Sequence, residues 1–349
     1  MINEKYVDYL RMFLVADEND FIVQNFDMLY ILLSYIKIEY DRQNIVFDKK
    51  QIDKLAKKLK IYNISNIFEF VNNFNKTFNI NVELEDLINK GIIIFDSRDY
   101  EKMVEEVRRK IMNNDGFCSK DGNTIWIKNK GSLNDAFTLI HELSHYKDRH
   151  DKYDTFTRFW FTEALAMTEE MIAAYLSNNE MEMIYNFETR IINCINCAAG
   201  WFKVLPIIIT YQKFSDVSEE SYGMIFDKSN YNKDLNNFNK LMKNKFKSLD
   251  DVDIENKEKQ VLDIFYNLLG GLKYVVGLIV AIHLFTRYLC DNNYMNEIQK
   301  MHKLINEMSV GEFINYLGVK EMSLDDVGDP VVKFMKDVYV TSKNNVKCL

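Results

Sequence analysis

The chain reads as a mainly α-helical protein with one small β-sheet. Three observations predict this. Only 12 glycines and 2 prolines (Pro206 and Pro330) interrupt 349 residues, which favours long helices joined by short polar loops. Apolar positions recur at helical spacing along most of the chain. The best strand candidate is Thr124-Ile125-Trp126-Ile127-Lys128, bracketed by Asp121-Gly122-Asn123 and Asn129-Lys130-Gly131.

Taken in order, helical spacing predicts helices over Phe26–Tyr40, Asp48–Lys60 (with Asp48 as N-cap), Ser65–Phe74 and Arg98–Met112. The short apolar run Gly91–Phe95 suits a strand, and Asn113-Asn114-Asp115-Gly116 reads as a loop. That loop divides an N-terminal helical region, 1–112, from a second region, 113–349. After the strand at 124–128, a helix begins near Asn134 or Asp135. A loop at 148–154 and a helix over Thr155–Leu176 follow. The remainder is expected to be helical over 180–213, 231–248, 256–290, 293–308 and 323–341.

Composition narrows the function classes. A hydrophobic fraction of 47% with 28% charged residues is ordinary for a soluble globular protein. A net charge of −8 without a basic stripe interleaved with aromatics argues against nucleic acid as a partner. The N-terminus, Met1 to Phe13, has acids among its apolar residues and does not resemble a signal peptide. Leu268–Phe285, the most apolar stretch, contains Lys273, His283 and two glycines, so it reads as a buried helix and not as a membrane span. The five cysteines are irregularly placed. Cys194-x-x-Cys197 has no second pair, which makes buried thiols the expectation there and a cytoplasmic location the expectation overall.

The chemistry is concentrated at His141-Glu142-Leu143-Ser144-His145, a complete H-E-x-x-H on the helix that begins near residue 134. Residues four apart share a helix face, so His141 and His145 can aim two imidazole nitrogens at one metal ion. Glu142, one step round, is placed to take a proton from a water activated there. Two histidines do not complete a catalytic zinc site, which normally takes three protein ligands. The next helix offers Glu163, Glu169 and Glu170. Seven residues at about 100° each bring Glu163 and Glu170 to within roughly 20° of one face, and Glu169 falls off it. Either of the aligned pair can be the third ligand. Glu163 is the favoured one, with Glu170 then accepting from a ligand imidazole. Trp160, Phe161, Leu165, Ala166 and Met167 make the segment too apolar for a solvated surface helix.

These segments resemble the active site of oligoendopeptidase F, in the thimet oligopeptidase superfamily of zinc peptidases. The resemblance rests on Leu133 to Ile140 with its Phe137-Thr138-Leu139 ahead of HELSH, and on the E-x6-E of Glu163 and Glu170. It is extended by Lys273-Tyr274-Val275-Val276-Gly277 and by Gly311 to Val319. It covers about residues 115 to 345. It implies a helical zincin fold whose small sheet lies beside the HExxH helix, and a cleft walled by the N-terminal region. It also implies Zn2+ as cofactor and short unfolded peptides as substrates. The strand Thr124–Lys128 would be the edge with which an extended peptide pairs.

Three differences from that family stand out: Ser144 replaces a glycine, the chain and the loop between His145 and Glu163 are shorter, and the segment just before Lys273, Ile264 to Leu272, holds no histidine. Tyr266 and Tyr274 are the candidates left for oxyanion donation. Under this reading zinc held by His141, His145 and Glu163 activates a water, and Glu142 accepts its proton and returns it to the leaving amine. Two alternatives stay open: a peptidase dedicated to one leader or signalling peptide, and a zinc-containing peptide-binding protein with weakened catalysis.

Overall fold

The computed structural model describes Arg42 and residues 49–96, 115–119, 124–148, 156–201, 204–214, 217–247, 249, 254–305, 307, 316 and 328–347. The expected helices Phe26–Tyr40 and Arg98–Met112, the Asp48 cap, most of the loop at 148–154 and most of the segment 311–319 lie outside the described residues.

The first part comprises α1 (Lys49–Ala56), α2 (Ile64–Thr77), α3 (Leu84–Asn89) and β1 (Ile93–Asp96). Helix α1 stops before the expected Lys60, because Lys58 and Leu59 bond back to Leu55 and Ala56 in tighter turns. Helix α2 starts at a reciprocal cap in which the Asn63 side chain accepts from the Asn66 backbone and the Asn66 side chain accepts from the Asn63 backbone. It buries Ile67, Val71 and Phe74 on one face. Between α3 and β1 the chain turns at Gly91, whose φ of 68° suits a residue without a Cβ.

Next come β2 (Gly116–Cys118) and β3 (Ile125–Lys128). The sheet order is β1-β3-β2, with β1 parallel and β2 antiparallel to β3. The expectation that Thr124–Lys128 is an edge strand is therefore overturned. Its two edges are taken, by β1 in the register Ile93 to Ile125 and by β2 in the register Phe117 to Trp126. Gly116, expected in a loop, opens β2. Because β1 precedes residue 112 and β3 follows it, the sheet joins the two regions distinguished in the sequence.

The helical layer consists of α4 (Asn134–Lys147), α5 (Phe156–Leu176), α6 (Glu180–Trp201), α7 (Leu205–Phe214) and α8 (Glu219–Gly223). It continues with α9 (Tyr231–Phe246), α10 (Ile254–Cys290), α11 (Tyr294–Leu304) and α12 (Asp329–Lys347). The single helix expected over 180–213 is two, α6 and α7. Pro206, which has no N–H to donate, sits in the first turn of α7, the place where a helix tolerates it. The last helix spans Asp329–Lys347 where 323–341 was expected, with Pro330 in its first turn.

Helix α5 is the axis of the core. Every residue from Phe161 to Ala174 is buried, and α5 packs most extensively on α10 and α4. A helix buried on every face must be covered on all sides, and α10, itself buried over residues 275–282, packs against it with Gly277 close to Glu163 and Ala164. Among the described residues no helix is long and apolar enough to cross a membrane. Within the apolar stretch of α10, residues 275–282 are instead buried in the fold.

Candidate metal centre

Helix α4 starts without a side-chain cap at Leu133. Asp135, in its first turn, reaches back instead: its Oδ2 accepts from the backbone N–H of Lys130 and Gly131, both at 2.8 Å, and of Ser132 at 3.4 Å. This ties the turn after β3 to the helix and sets where α4 begins. Burial pushes the Asp135 carboxyl up to about 6 against the pull of those donors. Asn134 donates to Glu182 of α6 at 2.5 Å, so the helix start is held from a second side. Residues Asn134 to Ser144 are all buried, which makes HELSH an interior segment.

Two turns along α4, His141 and His145 face each other edge to face, with ring centroids 4.8 Å apart. Their Nε2 atoms are 3.2 Å apart. Glu163, from α5, lies 3.4 Å from His141 Nε2 through Oε1 and 3.5 Å from His145 Nε2 through Oε2. These three residues form the one group among the described residues able to hold a metal ion. A tetrahedral ion bound at about 2.0–2.1 Å has ligand atoms roughly 3.3 Å apart, so the three donors already stand near the edges of such a polyhedron. Two imidazoles and one carboxylate are the donor set that suits zinc.

Glu170, the other aligned carboxylate, lies on the opposite side of the His141 ring. His141 Nδ1–H donates to Glu170 Oε2 at 2.9 Å, and Nε2 is the ring nitrogen that faces His145 and Glu163. Glu170 is itself held by Asn186 and Arg190 of α6. Asn186 Nδ2 and Arg190 Nε donate to Oε1 at 2.7 and 2.9 Å, and Arg190 Nη2 lies 2.6 Å from Oε2. Burial alone would raise the Glu170 carboxyl; the Arg190 charge and the His141 hydrogen bond outweigh it and bring it down to about 2. Burial likewise opposes a charged His141, yet hydrogen bonds to Glu163 and Glu170 lift it to about 9.

Glu142 is buried beneath the sheet, and its Cγ would lie 3.2 Å from a Cβ added at Gly116 of β2. Only a strand residue without a side chain lets β2 pass this close to Glu142 and Thr138. A second glycine performs the same service for Glu163. At Gly277 of α10 an added Cβ would meet Glu163 Cγ at 3.2 Å and the Ala164 backbone nitrogen at 3.4 Å.

Of the tyrosines, Tyr274 is half-buried against the core one turn before Gly277, and its carbonyl accepts from the Cys194 thiol. Tyr266 lies on α10, but its side chain is outside the described residues, as is that of Cys197. His150 is also outside them.

Glu169, off the face of Glu163 and Glu170, belongs to a separate buried network. It accepts from Lys147 at 2.7 and 2.8 Å, from Gln299 at 2.5 Å and from His302 Nε2 at 3.1 Å. His302 Nδ1 in turn meets Asp148 at 2.5 Å. Sequence reasoning did not find Arg190, Asn186 or His302, because each acts from a distant helix at no motif spacing. The arginine and asparagine sit four apart on α6, and that shared face is the only trace they leave in the sequence.

Comparison with protein-family profiles, with curated proteins and with solved structures returns no match for this chain.

Proposed function

We propose that this chain is a zinc-dependent endopeptidase acting on short unfolded peptides, of the oligoendopeptidase-like HExxH-plus-glutamate type. The observation that carries the reading is the convergence of His141, His145 and Glu163 on one point, with Glu142 adjacent to His141 on α4. Peptide-binding proteins have no use for a buried carboxylate next to such a cluster, whereas hydrolysis needs a base there. The ion, when bound, supplies a Lewis acid that brings the pKa of a coordinated water toward neutrality.

The chain's own residues do the rest. His141 and His145 offer Nε2 lone pairs, and Glu163 offers a carboxylate that offsets one unit of the ion's charge. Glu142 takes the proton of the attacking water as the new C–O bond forms. It then delivers that proton to the amine nitrogen as the C–N bond breaks. Tyr266 and Tyr274 are the candidate donors to the developing oxyanion. The position of β2 supports a peptide substrate, because Gly116 places this strand against Glu142.

The test has two parts. Freshly purified protein is expected to carry one zinc per chain by elemental analysis. A library of random short peptides read by mass spectrometry is expected to be cut broadly by the wild type. Glu142→Gln should keep the zinc and lose on the order of 100-fold or more in cleavage. Cutting at a single sequence would instead identify a dedicated peptidase. Undiminished cleavage by Glu142→Gln would overturn the assignment of the base.

A further inference from the structure

The two aligned carboxylates of α5 are chemically identical, yet they face opposite nitrogens of one imidazole. What distinguishes them is what stands behind Glu170. Its Oε1 accepts from Asn186 and from Arg190 Nε, and its Oε2 takes His141 Nδ1–H and Arg190 Nη2. Four donors fill the roughly four acceptor positions of a carboxylate. The two from Arg190 form a planar fork that fixes the carboxylate in orientation as well as in charge.

We infer that Arg190 is a positioning residue of the metal centre, which commits Glu170 to the His141 ring and so leaves Glu163 as the third ligand. This rests on the zinc reading above. Its physical content is a three-step chain: guanidinium to carboxylate, carboxylate to Nδ1–H, and Nε2 toward the ion. With Arg190 in place the Glu170 carboxylate has no acceptor position to spare and no net charge to offset. Without it, a buried negative charge is left held by His141 and Asn186 alone. The strongest compensating positive charge in reach is then the ion itself. Glu170 would be drawn off its position, and the ring it holds would lose its aim.

The experiment is a double-mutant cycle on the full chain, with zinc affinity as the readout, measured by competition with a chromophoric chelator. The variants are Arg190→Gln, Arg190→Lys, Glu170→Gln and the pair Arg190→Gln with Glu170→Gln. Arg190→Gln is expected to weaken zinc binding by about 10- to 100-fold, the range found when the partner of a ligand histidine is removed. Arg190→Lys, a point charge without the fork, should fall in between. The pair should bind zinc within about twofold of Glu170→Gln alone, because the arginine acts only through that carboxylate.

An arginine that merely stabilises the fold would give losses that multiply in the pair, and that outcome overturns the inference. So does an Arg190→Gln variant that binds zinc as the wild type does. Should Arg190→Gln not fold, Arg190→Lys and the charge-neutral pair decide the matter: affinity equal to wild type in the former overturns it. A wild-type chain that takes up no zinc fails earlier and differently, removing the metal reading itself before any variant is compared.

Discussion

At the scale of single residues, two glycines, Gly116 and Gly277, let backbone pass close to Glu142 and Glu163. Gly277→Ala tests the second of these. An alanine inside a helix is favoured over glycine by up to about 1 kcal/mol. Here, however, its methyl group would press on Glu163 Cγ at 3.2 Å and on a backbone nitrogen at 3.4 Å. The backbone cannot yield locally, so the Glu163 side chain must. The expected outcome is a melting temperature of the metal-free protein within a few degrees of wild type, with zinc affinity lowered on the order of 10-fold. Unchanged affinity would show that Gly277 does not set the position of Glu163. Tyr274→Phe tests another single atom: zinc content should stay at one per chain while peptide cleavage falls on the order of 100-fold, the cost of one oxyanion donor. HELSH and the pair Glu163 and Glu170 were legible in the sequence because helical periodicity alone puts each pair on one face. The sequence favoured Glu163 toward the ion and Glu170 toward an imidazole but left the alternative open, since the groups that separate the two, Arg190 and Asn186, lie on α6.

At the scale of elements, α11 is fastened to the end of the HELSH helix by a buried ionic network. His302 stands between Asp148, which follows α4, and Glu169 of α5, with Lys147 and Gln299 completing the group. Burial disfavours a charged imidazole, but Asp148 and Glu169 outweigh both burial and Lys147 and raise His302 to about 9. The folded value lies above the unfolded one of about 6.5. The stabilisation is therefore fully present below about pH 6.5 and is lost as pH rises through about 9. His302→Gln removes one partner from buried carboxylates and should cost about 3 kcal/mol at pH 7. The gap between variant and wild type in urea midpoint should narrow as pH rises from 7 to 10, and a gap independent of pH would show that His302 is not charged. Element boundaries were legible where periodicity was long, as in α4, α5 and α10. They were not at β2, a strand of three residues that begins with glycine and exists because β3 offers an edge.

At the scale of the whole molecule, the candidate metal centre lies within the buried core, and this decides how the protein should respond to removal of an ion bound there. The ligands come from α4 and α5, which are buried against each other and against α10. The first and last described helices are tied in as well: Glu188 of α6 accepts from Gln51 of α1 and from Ser342 of α12. Small domains whose fold depends on zinc unfold when it is removed, because nothing else holds their ligands together. Here a continuous apolar core holds the three donors, and the ion adds only its binding free energy to a structure already formed. At a free concentration of 100 times its Kd, that addition is about 2.7 kcal/mol. Chelation should therefore lower the melting temperature by on the order of 5 °C in a chain this large, and leave the far-ultraviolet dichroism at 25 °C unchanged. In Glu163→Ala the same chelator should produce almost no shift, because the stabilising ligand set is already broken. A loss of helical signal on chelation of the wild type would mean that the ion organises α4 and α5, and that the core described here does not suffice to do so.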